Sequence, residues 1–333
     1  MTIRTTGRTA ALALALCLIA ATASYAGDAE PLKVQGQEAL RGSSQVAIGV
    51  FNVGFIFEST DQTKATGGLM GAFGGATKAK SVLVGVTPEM MQQVTNAAYA
   101  DFVTQLTAAG FTVQAPELAF ASDQLAKIEG QSAPLDINIA LEKGSKGKAT
   151  YYKPAALPRL VMIPGDFVGS GMSSIGLNMD AGRAQGALSG YAKAAQVPVI
   201  DVVYLIDFSE QQRPGAFSFG GLAINANLSV TPGFSRMTVL GANGKTTTVT
   251  LKQGVSVDGD FIQREDVTGG SATTQAAANV AGGVAAAFGF GGLRFGKTKK
   301  FEFAAKPGNY EEGATKAASL ASERLVALAA TLR

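Results

Sequence analysis

The chain has 333 residues, a formal net charge of +3 and no histidine, and only 16% of its residues are charged, against about 25% in an average soluble domain. The lack of histidine excludes Ser-His-Asp and Cys-His catalysis and His-ligated zinc, and it removes the commonest general base. We therefore expect a binding or structural protein that is not an enzyme and uses no metal or cofactor.

The amino terminus predicts a cleavable secretory signal peptide over residues 1–26. Two arginines precede an apolar run over residues 10–21, and the small residues Ser24 and Ala26 follow it at the positions that a signal peptidase reads. The apolar run is shorter than the roughly 20 residues of a membrane-spanning helix. We expect export to the periplasm or outer membrane of a chain that begins at Gly27 and lacks cysteine.

The mature chain is expected to begin with a tether and a buried strand. Residues 27–44 are polar and have no regular period, which is typical of an amino-terminal tether. Residues 45–57 are rich in Val, Ile and Phe and predict a buried strand with a bulge at Gly49 or Gly54.

The clearest helix is predicted over residues 88–109. Thr87 is a good N-cap, Pro88 suits the first helical position, and Gly110 suits the position that follows the carboxyl end. Apolar residues recur at spacings of three and four and would form one buried face. They are Met91, Val94, Ala98, Phe102, Leu106 and Ala109.

The order of the remaining elements indicates the fold class. We predict helices over residues 116–129, 178–196 and 311–332, a loop over 130–158, strands over 159–167, 197–208 and 300–304, and several strands within 216–255. Strands and helices in this order predict an α/β or α+β fold in which helices pack on a mixed β-sheet. We expect a single domain over residues 45–333, interrupted by Gly/Ala-rich excursions.

The segment Gly241-Ala-Asn-Gly-Lys-Thr-Thr-Thr248 resembles a phosphate-binding loop but predicts a hairpin. Val239 stands where that loop requires its first glycine, and the residues after Lys245 are β-branched and alternating instead of helical. Asn243-Gly244 between two such runs is a strong hairpin signal. We therefore expect no nucleotide ligand, and the absence of a basic and aromatic block argues against nucleic acid.

The strand over residues 197–208 carries two aspartates on one face. Six residues at about 3.3 Å each place Asp201 and Asp207 roughly 20 Å apart, too far for a catalytic pair. Asp207 could instead meet Asp166 or Glu210 at the end of the sheet, where the carboxyl ends of parallel strands form ligand pockets. We therefore take Asp166 and Asp207 as candidate ligand-binding residues, with strand-end carboxylates as the alternative.

Two Gly/Ala segments, residues 67–76 and 276–295, suggest a contact surface, and residues 272–293 carry no charge. Small residues at these spacings allow close packing of helices or association with a membrane, whereas flexible surface loops are the alternative. The candidate interface or membrane residues are Gly71, Ala72, Gly75, Gly283, Ala285 and Phe288. Two short basic runs, residues 143–148 and 297–300, are interpreted as solvated turns.

Three segments resemble the core of the curli secretion channel family, which is similar to the amino-terminal domain of the periplasmic TolB protein. They are Val46-Ala-Ile-Gly-Val-Phe-Asn-Val53 with the long helix, Ala109-Gly-Phe-Thr-Val-Gln-Ala-Pro-Glu-Leu118, and Arg159-Leu-Val-Met-Ile-Pro-Gly-Asp-Phe-Val-Gly-Ser170. The chain lacks a lipobox, and Ala115-Pro116 departs from the family pattern. The resemblance implies a role in assembly or secretion at the envelope and transfers no functional residue.

These observations lead to a non-enzymatic exported protein that acts in assembly, secretion or surface-structure biogenesis. We expect it to form a homo-oligomer and to associate with the outer membrane. A soluble periplasmic ligand-binding protein is the alternative. A carboxylate-dependent hydrolase is the third hypothesis. It requires two carboxylates that face each other at the spacing of a catalytic pair.

Overall fold

The computed structural model describes residues 31–64, 76–140, 146–167, 173–212, 223–268 and 298–333. The predicted signal peptide lies outside the described residues. So do all six candidate residues of the Gly/Ala segments, namely Gly71, Ala72, Gly75, Gly283, Ala285 and Phe288. Within the described ranges, residues from Pro31 onward belong to one unit.

The described strands form one mixed sheet, as the predicted α/β or α+β class requires. Its central path runs β1-β10-β9-β7-β2-β3-β13-β12, and the other strands pair at its sides. The strands are Leu32–Gln35 (β1), Gln45–Lys64 (β2), Ala76–Val84 (β3), Thr112–Gln114 (β4), Leu135–Ile139 (β5), Lys146–Tyr152 (β6), Val199–Gln212 (β7), Ala223–Val230 (β8), Arg236–Leu240 (β9), Thr246–Leu251 (β10), Val255–Val257 (β11), Ile262–Asp266 (β12) and Thr298–Ala305 (β13).

Helices cover both faces of the sheet. They are Pro88–Ala108 (α1), Pro116–Phe120 (α2), Asp123–Ala126 (α3), Ser173–Ala195 (α4) and Asn309–Thr331 (α5). Phe51 of β2 lies under α1, with ring centroids 5.4 Å from Tyr99 and 5.7 Å from Phe102. The Tyr204 hydroxyl of β7 lies 2.8 Å from Ser322 Oγ of α5. On the other face, α2, α3 and α4 enclose a second apolar cluster with Val50 and Val161.

The predicted first helix is confirmed together with its end signals. Thr87 Oγ1 accepts a hydrogen bond from the Met90 backbone N–H, and Pro88 occupies the first turn. Gly110 has a φ of +85°, the left-handed conformation expected after a helix. The predicted bulge at Gly49 is also present, because the pairing of β2 with β7 shifts between Ile48 and Val50.

Strand β2 is 20 residues long, and one of its edges pairs with two strands in succession. Residues 47–55 pair with β7 in parallel, and residues 58–64 pair with β3 in antiparallel. Its other edge pairs with β4 and then with β6. The predicted strand over residues 45–57 covers the first part of β2 only, because residues 58–64 are mostly polar and gain strand structure by pairing with β3.

Several segments differ from the sequence predictions. Residues 32–35, within the predicted tether, form β1, which pairs with β10. The predicted loop over residues 130–158 contains β5 and β6, whose pairing brings alternating Ile137 and Ile139 into the core. The strand predicted within residues 159–167 is buried at residues 160–163 but forms only an isolated bridge, Leu160 to Gln131. The predicted helix over 116–129 is broken into α2 and α3.

Four strand-to-strand connections leave the sheet at the same end. Strands β2 and β7 run in parallel toward this end, and β6 and β3 run back from it antiparallel to β2. Strand β13 is parallel to β3, so it also starts here. We call this side of the sheet the hairpin end. The connections that leave it are β2–β3, β5–β6, β7–β8 and β12–β13.

Candidate functional site

A cluster of buried polar side chains lies on one face of the sheet, near the start of β7 and away from the hairpin end. In the strand register Asp201 of β7 is opposite Thr238 of β9, and Val203 is opposite Arg236. Asn52 of β2 is the partner of Val203, so it shares this face. The Asn52 side-chain nitrogen donates to the Val161 carbonyl oxygen at 2.6 Å, which places residues 161–163 over the strands.

Asp166 closes the loop that follows residue 163 and joins it to the sheet. One carboxylate oxygen accepts from the Ile163 backbone N–H at 2.8 Å, and the other accepts from Arg236 Nη2 at 2.8 Å. The same guanidinium donates to the Pro164 carbonyl oxygen. The Asp166 side chain is 1% exposed and that of Arg236 is 15% exposed. A buried ion pair with added hydrogen bonds therefore holds this loop in place.

Asp201 places a second carboxyl group within electrostatic reach of the same guanidinium. It is buried, and neither of its carboxyl oxygens meets a donor among the described residues. The group that it faces is the carboxyl of Asp166. Two carboxylates beside one guanidinium would leave a buried negative charge, and the two groups can avoid it by sharing one proton.

The surroundings of both carboxyl groups favour that proton. Burial raises the pKa of Asp201 well above its usual value, the neighbouring Asp166 charge raises it further, and Arg236 opposes both effects. Burial also raises the pKa of Asp166, against the lowering effect of Arg236 and of the Ile163 N–H. The pair therefore favours a shared proton, and Asp201, whose pKa is raised more strongly, is its main holder.

We expect this proton to make the fold more stable in mild acid. Because the folded pKa of Asp201 lies above its unfolded value, its contribution is full below the unfolded pKa and is lost as pH rises through the folded pKa. The loss for one group approaches about 1.4 kcal/mol per pH unit. Urea unfolding of the protein and of Asp201→Asn between about pH 5 and 9 should give curves that diverge in favour of the variant as pH rises. Parallel curves would contradict the shared proton.

The structure does not bring Asp207 to Asp166. Asp166 lies against Asp201, and Asp207 follows Asp201 by six residues of the same strand, or about 20 Å. Asp207 accepts from the backbone N–H groups of Phe208 and Ser209, at a bulge where the pairing of β7 with β8 shifts. Its carboxylate therefore stabilises the strand locally. Sequence reasoning missed Asp201 as the partner of Asp166, and the available signal was an acid inside an apolar strand.

Two grooves occur elsewhere on the described surface. One of about 320 Å³ lies between α3 and α4, where Lys127, Glu129, Asp180 and Arg183 supply charges of both signs. A smaller one of about 80 Å³ lies beside β8 and β11. Neither is lined by Asp166 or Asp207. The described ranges also contain no group of three or more acidic, His or Cys side chains that could hold a metal ion.

The phosphate-loop alternative is excluded by the local geometry. Residues 241–245 join β9 to β10 as a hairpin, with Gly244 at a φ of +77°, and no helix follows.

Comparison with known proteins identifies no relative. No protein-family model, no curated protein and no solved structure matches this chain. Among the described helices, none combines the length and the apolar character that crossing a membrane requires.

Proposed function

We propose that this chain is an exported, non-enzymatic protein of the cell envelope that acts in assembly, secretion or surface-structure biogenesis. It works as a homo-oligomer and associates with the outer membrane through the hairpin end. The resemblance of three of its segments to the curli secretion channel family agrees with this role. The observation that carries the proposal is the common end at which the four connections leave the sheet.

The position of the Gly/Ala segments supports this proposal. The segment over residues 67–76 belongs to the β2–β3 connection, and the segment over 276–295 belongs to the β12–β13 connection. Strands β3 and β13 are neighbours, with Lys78 opposite Thr298. The described ends of both connections therefore lie side by side, although they are about 220 residues apart in sequence. One contact surface can thus involve both segments.

The buried polar cluster supports a structural role for the chain's most perturbed carboxyl groups. Asp166 and Asp201 are 2% and 1% exposed, and the loop over residues 161–167 covers them. General acid–base catalysis requires hydrogen-bond contact with the substrate. An enclosed pair that holds a loop to the sheet suits stability better than hydrolysis.

Membrane fractionation and native mass test this function. We expect the protein in the membrane fraction and a native mass that is a multiple of the monomer mass. Ala72→Glu with Ala285→Glu should move it to the soluble fraction or lower its native mass, while Ala195→Glu, at an exposed position on α4, should change neither. A soluble monomer, or a double variant that behaves as the parent, would refute the proposal.

A second candidate function rests on the groove between α3 and α4. Its volume of about 320 Å³ falls within the range of small-molecule pockets, and paired charges suit a ligand with both an amino and a carboxylate group. A soluble periplasmic binding protein would use such a groove. A thermal-shift screen with amino acids and sugars tests it, because a ligand that binds the folded state raises the unfolding temperature. Arg183→Gln should abolish any shift that depends on this groove.

A further inference from the structure

Lysines from three strands, β3, β6 and β13, share one face of the sheet at the hairpin end, where β2 lies between β6 and β3. In the strand register, Lys78 and Lys80 of β3 lie on the same face as residues 60 and 62 of β2. Lys146 of β6 is opposite Thr60, and Lys300 of β13 is opposite Lys80. Lys148 occupies a further position of this face. We call the five residues the lysine face: Lys78, Lys80, Lys146, Lys148 and Lys300.

The lysine face points away from the apolar core. Residues on the opposite face of the same strands, such as Ala79, Ser81 and Phe303, are buried. Lys78 and Lys146 are exposed, and neither makes an ion pair with another described residue. Four strands at about 4.8 Å spacing make this face about 14 Å wide. Residues 146–148 and 298–300 of the two basic runs predicted as solvated turns lie instead in strands β6 and β13, which the sheet brings together. Residues 143–145 and 297 of these runs lie outside the described residues.

Carboxylates of this face lie farther from the hairpin tips. Glu58 pairs with Lys80 at 2.9 Å, and Asp136 pairs with Lys148 at 2.8 Å. Glu302 of β13 is opposite Val82, farther from the tips than Lys300. The positions of this face nearest the connections are residue 60 of β2, residues 78 and 80 of β3, residue 146 of β6 and residue 300 of β13, and they carry four lysines and no acid. Positive charge is therefore concentrated beside the β2–β3, β5–β6 and β12–β13 connections.

We propose that the lysine face binds the anionic headgroups of a lipid membrane. Lysines concentrated next to a membrane-contacting segment are attracted to negative lipid surfaces, and long lysine side chains reach the headgroup layer from an apolar surface. The inference rests on the proposed membrane contact of the hairpin end and adds the lipid class that it recognises. A nucleic acid is a weaker fit, because no aromatic residue for base stacking occurs among the outermost positions of this face.

Vesicle binding tests the lysine face. The full-length protein is sedimented with vesicles of phosphatidylglycerol and phosphatidylcholine, or of phosphatidylcholine alone, at about 0.1 M and 1 M salt. We expect preference for the anionic vesicles and loss of that preference at high salt. Lys78→Gln with Lys146→Gln should weaken anionic binding about 25-fold, since each lysine near the surface contributes about fivefold.

A matched variant controls for the change in net charge. Lys33→Gln with Lys252→Gln removes two exposed lysines at the β1–β10 edge of the sheet and should bind anionic vesicles as the parent does. Circular dichroism and unfolding temperature verify that both double variants fold.

The possible outcomes distinguish failure of the proposed lipid binding from failure of the proposed envelope function. Equal binding to both vesicle types, or equal weakening of binding by the two double variants, would refute anionic lipid binding by the lysine face. It would not contradict membrane association of the protein. Lysine-dependent binding to duplex DNA without vesicle binding also overturns the proposed lipid binding. A soluble monomer in fractionation refutes the proposed function instead, whatever the purified protein does with vesicles.

Discussion

Arg236→Met is expected to lower the free energy of unfolding by about 3–5 kcal/mol at pH 7, the usual range for removing one partner of a buried ion pair. Without the guanidinium, the buried carboxyl of Asp166 loses a hydrogen bond of 2.8 Å and faces the equally buried Asp201. Both groups must then be protonated for the loop to stay in place. The cost should therefore be smaller at pH 5 than at pH 7.

Urea unfolding measures this effect, and Arg183→Met is the matched control. Arg183 also makes an ion pair, with Asp180 at 3.0 Å, but its side chain is 71% exposed. Exposed pairs contribute about 0–1 kcal/mol, so the control should remain close to the parent. A loss below 1 kcal/mol for Arg236→Met would show that the buried pair does not stabilise the fold.

A double variant separates loss of the pair from loss of packing. The double variant Arg236→Met with Asp166→Asn removes both the guanidinium and the carboxylate that it neutralises. Asp201 then has no charged neighbour in the cluster. We expect the double variant to be less unstable than the sum of the two single variants. Additive losses would mean that the two side chains act independently.

Gly165→Ala is expected to lower the free energy of unfolding by about 3 kcal/mol or more. Gly165 has a φ of +91°, a conformation that costs an L-residue roughly 1–2 kcal/mol. A Cβ here would also overlap the Arg236 guanidinium, which is held between Pro164 and Asp166. Moving the guanidinium would break the buried ion pair and add part of its cost.

Gly42→Ala separates the two causes. Gly42 has a φ of +72°, but a Cβ at this position would meet no atom within 4 Å. It should therefore show the backbone cost alone, as measured by the same urea unfolding. Equal losses for Gly165→Ala and Gly42→Ala would mean that Arg236 accommodates the added methyl group.

Local signals in the sequence predicted the local structure well. Thr87, Pro88 and Gly110 delimit α1 because caps and prolines act on neighbouring backbone groups. Asn243-Gly244 predicted the β9–β10 hairpin for the same reason, since its turn depends on the φ angles of a few residues. Strand β7 was also predicted within a few residues of its start, because its apolar run is long and β-branched.

The sequence indicated the acidic residues of the candidate site but not their contact with each other. Asp166 and Asp201 were both noted as acids near strands, but the sequence did not indicate that they meet. The loop after residue 163 carries Asp166, and it gains its position from Asn52 and Arg236, which are more than 60 residues away on either side. Contacts of this range are set by strand order and register, and a single sequence carries no local signal for either.

The sequence by itself determined the composition, the main helices and the hairpin turn of β9 and β10, because these depend on residue type and near neighbours. It also predicts the export signal. The tertiary structure alone decided that four connections leave the sheet at one end and that two separate basic runs join one lysine face. The physical reason is that side chains alternate along a strand and neighbouring strands align by register. Residues such as Lys78, Lys146 and Lys300 therefore become neighbours only when β6, β2, β3 and β13 pair.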